Sequence, residues 1–361
     1  LSRHGFRILE AGRGPSVTQG QPGAAPSRRA PVAEWPLRLD LLVNPYGPSI
    51  RVQEAIAAAT DLHLPTSARE SALRRALAKA IGIPPEWLTL TDGIGASLSA
   101  ILNWRRKAGP AVLFPPTDIS LEYLARTVGV ETISIPRSHR FAVEVDPAAD
   151  WALPRGATAF VSSPNDPTGT LLSAQDAVRL TRRCEIVVVD ESHGEYGGRS
   201  LLPLVREFDN LIVLRTFETW AGLVGFPFAY VIAPPTLAGQ IARFRPRAEL
   251  PVSSLIAAEA TLADLAYVRA AAHRVREEKS RLYRTLRKLN MLRPLPSWAN
   301  FLLARVERGD AILLERELAE RGILVHRPLQ PELPDHLRIS AVGPDSTLEL
   351  KRALIAIAAT L

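Results

Sequence analysis

Residues 210–226 read NLIVLRTFETWAGLVGF. The first half, Leu211 to Phe217, is almost unbroken apolar sequence of strand length, and it ends in the polar pair Glu218–Thr219. A strand that shows no alternation of polar and apolar residues is buried on both faces, as in a parallel sheet covered by helices. Gly222 and Gly225 then permit a tight turn. The segment therefore predicts a core strand that delivers polar side chains to a sheet rim.

The sequence on either side repeats this unit. LTLTDG, AVLFPPT, ETISIP, TAFVSSP, EIVVVDE and FAYVIAP read as strands, and SLSAILNWRRKA, LEYLARTVG and AQDAVRLTRRC between them read as helices. This βα alternation argues for an α/β fold with a mixed, mostly parallel sheet between helices. Ligands of such sheets bind beyond the carboxyl ends of the strands. TDG, PPTD, SPNDPTG, DESH and TFETW all fall there, so five polar strand ends converge on one rim. Before the sheet, a turn at Asn44–Pro45–Tyr46–Gly47–Pro48 leads into VQEAIAAAT and SARESALRRALAKAIG, two helices, the second stopped by Gly82. After it, SSLIAAEATLADLAYVRAAAHRVREEKSRLYRTLRKL is one long amphipathic stretch. ANFLLARV, ILVHRP and HLRISAV are strands among helices of a smaller α+β part. The expected organisation is an N-terminal arm over 1–34, a large domain over 61–261, and a small domain from 35–60 and 262–361.

Composition narrows the function classes. The chain has 361 residues, 47% hydrophobic and 22% charged, as in a soluble globular protein. No apolar run has the roughly 18 residues a membrane span needs, and no secretory leader is visible. The single Cys184 excludes an internal disulfide, and a cytoplasmic location is expected. The net charge of +7 is spread over the chain and comes mostly from arginine, without an aromatic-interleaved basic stripe. Nucleic acid is therefore not the expected partner.

Seven motifs in order resemble the fold-type I pyridoxal-phosphate (PLP) aminotransferases, in the branch of histidinol-phosphate aminotransferase and threonine-phosphate decarboxylase. VNPYGPS, SPNDPTG, VVVDESH, NLIVLRTFETWAGLVGF, SWANFLL, RGILVH and HLRISAVG carry the resemblance over about residues 37–361. It implies a homodimer, a lysine that forms a Schiff base with the cofactor, and an aspartate on the ring nitrogen. Matched position by position, Asp190 keeps the ring-nitrogen role and Arg338 the substrate-carboxylate role. The lysine position reads Thr219, preceded by Glu218 in place of serine. The phosphate arginine reads Pro227, the ring-hydroxyl asparagine and tyrosine read Asp166 and His193, and the stacking aromatic reads Asp118. The glycine-rich phosphate turn reads Gly93–Ile94–Gly95, Leu64 takes the place of a tyrosine, and His326 that of a second arginine.

Lys79, Lys107, Lys279, Lys288 and Lys351 all lie in polar stretches of predicted helices and read as solvated. These exchanges predict a chain that has left Schiff-base chemistry and carries no PLP. The expected enzyme is PLP-independent and uses His193, Asp166, Asp190 and Glu218 for acid–base work. Arg338, Asp118, Asn44, Tyr46 and Thr219 would hold a small amino-acid-like substrate. Acids so close together require a proton, a cation or hydrogen bonds. Solvation, pairing with an arginine such as Arg215, and a metal on His193, Asp166 and Asp190 are the other readings of the cluster, and no metal is expected. A non-catalytic partner of a true enzyme and a PLP enzyme with a displaced site are the alternatives for the whole chain.

Overall fold

Side chains alternate across a strand, and in the central strands both sets are apolar. Leu211 and Val213 join one buried cluster, while Ile212 and Leu214 join a second on the other face. Val187 and Val189 divide in the same way from Ile186 and Val188. A sheet buried on both faces follows, as the unbroken apolar runs required. The structure is a computed structural model and describes residues 36–146, 153–246 and 249–359. The expected arm over 1–34 lies outside these residues.

The strands are β1 (Leu37–Arg38), β2 (Leu88–Thr91), β3 (Ala111–Leu113), β4 (Thr132–Ser134), β5 (Thr158–Ser162), β6 (Ile186–Asp190), β7 (Leu211–Thr216), β8 (Ala229–Ile232), β9 (Leu292–Pro294), β10 (Phe301–Val306), β11 (Ile323–Leu324) and β12 (His336–Ser340). The helices are α1 (Ile50–Ala57), α2 (Ser67–Ile81), α3 (Gly93–Arg105), α4 (Ile119–Val128), α5 (Ala174–Arg183), α6 (Gly194–Gly197), α7 (Pro235–Ala242), α8 (Val252–Ala263), α9 (Leu265–Arg287), α10 (Ala311–Glu320) and α11 (Pro344–Ala358).

Seven strands form the main sheet in the order β2-β8-β7-β6-β5-β3-β4. Pairing is parallel from β7 to β4, and antiparallel where β8 meets β7 and β2. The expected mixed, mostly parallel α/β sheet is present. Register places Ser162 opposite Asp190 and Asp190 opposite Leu214, so the carboxyl ends of β5, β6 and β7 lie level. A second, antiparallel sheet runs β12-β10-β9. β1 pairs in parallel with β11, which ties the segment before the main sheet to the C-terminal part of the chain.

Two local expectations are corrected. The long amphipathic stretch is two helices, interrupted at Asp264 (φ −132°, ψ 43°). The sequence there has neither glycine nor proline to mark the break. Lys279 is not solvated: its amine donates to the carbonyls of Ser297 at 2.7 Å and Ala299 at 2.8 Å. Burial lowers its pKa to about 8.

Candidate active site

The loop after β7 is anchored from below. Phe217 is buried and meets Trp220, Phe228 and Tyr230 at ring distances of 5.5, 5.5 and 5.9 Å. From above, Asn44 donates to the Trp220 carbonyl at 3.0 Å while its side-chain oxygen accepts from the Tyr46 amide at 3.0 Å. Asn44 is therefore committed to holding the turn on the loop rather than facing a ligand. Tyr46 is partly exposed, with the Arg274 guanidinium 5.5 Å above its ring. Gly222 sits at φ +75°, and a Cβ there would lie 2.7 Å from the Gly47 carbonyl carbon. The left-handed backbone alone costs a non-glycine residue ~1–2 kcal/mol. Gly222→Ala is expected to lower stability by about 2 kcal/mol or more, read as a lower urea midpoint.

At the rim, Asp190 ends β6 and accepts from Ser192 through its amide at 2.9 Å and its hydroxyl at 2.5 Å. Burial nevertheless raises the carboxyl to about 6, and neighbouring Asp118 and Glu191 push it the same way. A cavity of about 230 Å³ opens beside it, with Gly95, Thr117 and Asp118 in its wall. Asp118 itself is exposed and caps α4 by accepting from the Ser120 amide at 2.9 Å.

His193 follows three residues after Asp190 and is 7% exposed. Its ring stands edge-on to Phe301 at 5.6 Å, and its buried Nδ1 has no partner. Burial holds its pKa below 6.5, so the imidazole is neutral at neutral pH. Arg338 lies over the same Phe301 ring at 5.5 Å. Its Nη1 donates to both oxygens of Asp166 at 2.6 Å, and its Nη2 donates to the Asp40 carbonyl at 3.0 Å. Thr219 donates its hydroxyl to the Ser192 carbonyl at 2.8 Å. Glu218 turns to the start of α3, accepting from the Ile94 amide at 3.3 Å and the Thr216 hydroxyl at 3.1 Å.

Asp190, His193, Asp166, Arg338 and Asp118 are thus brought to one region, and Glu218 lies at its α3 side. Arg215 does not neutralise them: it pairs with Glu191 at 2.9 Å and Glu195 at 3.5 Å. Among the described residues no group of three or more His, Cys, Asp or Glu is placed to hold a metal ion. Phe301, Ser192 and Asp40 also build the site. Ser192 in VVVDESH and Phe301 in SWANFLL lay within motifs of the resemblance without being singled out, and nothing in the sequence marked Asp40.

The fold and the rim define an aminotransferase-type protein. Residues 42–356 match the model of aminotransferase class I and II, and the chain belongs to that family. It is 32% identical to histidinol-phosphate aminotransferase of Roseiflexus castenholzii, over 86% of each chain. It is 31% identical to chloroplastic histidinol-phosphate aminotransferase 1 of Arabidopsis thaliana, over 88% of this chain and 77% of the relative. The solved histidinol-phosphate aminotransferase of Sinorhizobium meliloti, in complex with pyridoxal-5'-phosphate, superposes with a TM-score of 0.80 over 90% of this chain and 91% of that one, at 23% identity.

These findings correct the expectation of a PLP-independent chain with no cofactor. Family membership implies pyridoxal phosphate, and a neighbour of the same fold holds it. Beside the exchanges at Thr219 and Pro227 the chain keeps the Asp190 carboxyl, to which the resemblance already gave the ring-nitrogen role, buried and with a cavity next to it. The fit to the whole group is nonetheless incomplete. Asp190 suits a ring nitrogen, but the Thr219 hydroxyl is committed to Ser192 and the Glu218 carboxylate already takes the Ile94 amide at the start of α3.

Proposed function

We propose that this chain is an aminotransferase-type enzyme of amino-acid metabolism that takes an amine-bearing, amino-acid-derived compound at the strand-end rim. One observation carries the reading: a buried, neutral imidazole, His193, whose Nδ1 has no partner, stands where the Asp166 and Asp118 carboxylates act on it. The His193 Nδ1 can accept a hydrogen bond or a proton from the amine. Asp190 offers a negative charge to it, and Asp118 adds to the field. Relatives named for histidinol phosphate make that compound the first to test. By the family resemblance the enzyme is a homodimer of two-lobed chains, divided as 61–261 against 35–60 with 262–361. Among the described residues no helix is long and apolar enough to cross a membrane, and a cytoplasmic location is part of the proposal.

Calorimetric titration with histidinol phosphate tests it. Affinity should fall as pH drops through about 6, because Asp190 takes up a proton there and loses its charge. His193→Gln should weaken binding roughly tenfold, the worth of about one hydrogen bond in a dry site, with the fold intact by circular dichroism. Binding that ignores both pH and His193 would refute the assignment.

A further inference from the structure

Arg338 and Asp166 are 172 residues apart in sequence, yet they form the shortest ion pair at the rim. One guanidinium nitrogen holds both carboxylate oxygens at 2.6 Å, with side-chain exposures of 9% and 18%. The second nitrogen is taken by the Asp40 carbonyl at 3.0 Å. Only Nε remains, buried and without a partner. This arginine stands over Phe301, with His193 edge-on to the same ring, so its charge faces the proposed amine site.

We propose that Asp166 is a specificity-determining residue: it occupies Arg338 as an internal carboxylate and closes the rim to ligands that present an anion there. A free carboxylate or phosphate would have to displace a tethered one, which is always at high effective concentration. Displacement would also leave Asp166 charged and unpaired in a largely buried place, which is costly. The favoured ligand therefore presents a neutral or cationic end to Asp166 and His193. This selectivity rests on the amine-site reading, but the closure of Arg338 does not.

The probes are acetate and inorganic phosphate, titrated by calorimetry against the full chain. Wild type should give no saturable binding. Asp166→Asn keeps the shape, removes the competing charge and should gain anion affinity at least tenfold. Asp166→Asn with Arg338→Gln should lose that gain, which separates a site on Arg338 from a change in net charge. Glu54→Gln, an exposed neutralisation elsewhere, should behave as wild type. Wild type binding anions as well as Asp166→Asn does would overturn the proposal. So would an Asp166→Asn protein that folds by circular dichroism and gains nothing, or a gain that survives loss of Arg338. Histidinol phosphate binding is measured separately. If the anion results hold while that compound fails to bind, the closure stands and the amine reading falls.

Discussion

Arg215→Ala is expected to cost about 3–5 kcal/mol of folding stability, the range found when one partner of a buried ion pair is removed. The Arg215 Nε and Nη2 both donate to one oxygen of Glu191, at 3.0 and 2.9 Å, and Nη2 also donates to the Ser200 hydroxyl at 2.7 Å. The Glu191 side chain is 1% exposed. Without the guanidinium it keeps only Ser200 and the Leu201 amide at 2.6 Å, too few to hold a charge out of water. The penalty arises from the stranded carboxylate rather than from the worth of the pair. Replacing both partners with apolar residues, Arg215→Met with Glu191→Leu, should therefore recover much of the loss. Urea unfolding of the single and double variants measures both. A loss below about 1 kcal/mol for Arg215→Ala would mean that water reaches Glu191 and the pair behaves as a surface one. The effect should extend to the site, because Glu191 directly follows Asp190 and its position sets where β6 releases the chain.

How far the sequence could be read depended on whether a feature is local. β5, β6 and β7 were legible because two-sided burial forces unbroken apolar runs, and a charge at the end of such a run can only sit at the rim. Asp190 and Glu218 were found that way. β11 fell within the expected ILVHRP strand, but its pairing with β1 was not legible, since it joins two-residue strands that lie most of the chain apart. Lys279 looked solvated because Arg276, Glu277 and Arg281 surround it in sequence. Its burial comes from carbonyls in the 297–299 loop, which helix periodicity does not reveal. The Asp166–Arg338 pair was invisible for the same reason: both residues were singled out, but as separate contacts of a ligand rather than as contacts of each other. The reading on PLP failed differently. Exchanges at single positions were weighed as a change of cofactor, whereas similarity over 86–88% of the chain to histidinol-phosphate aminotransferases speaks for the family's cofactor.

Asp190→Asn should make the protein more stable than wild type at neutral pH, by a margin that shrinks as the solution is acidified. The folded carboxyl titrates at about 6 against an ordinary 3.8. Between those values the folded protein binds more protons than the unfolded chain, so stability falls as pH rises through the window. At ~1.36 kcal/mol per pKa unit the gap is worth at most about 3 kcal/mol, and about 2 kcal/mol of that lies between about pH 4.5 and 7.5. Water in the adjoining cavity reduces these figures, since part of the Asp190 surface opens to it. Asparagine carries no charge and still offers an oxygen to the Ser192 amide, so it removes the penalty and keeps that bond. Stability of the two proteins, followed by urea unfolding across this range, should diverge upward in pH; parallel curves would show that Asp190 is solvated and normal. A buried acid with no cation beside it is costly to keep, and a cationic ligand would recover that cost. An amine that docks on Asp190 should therefore stabilise wild type more at pH 7.5 than at 4.5, and should stabilise Asp190→Asn little at either. If the amine protects both proteins equally, its charge is held elsewhere, and His193 rather than Asp190 would be the centre of the site.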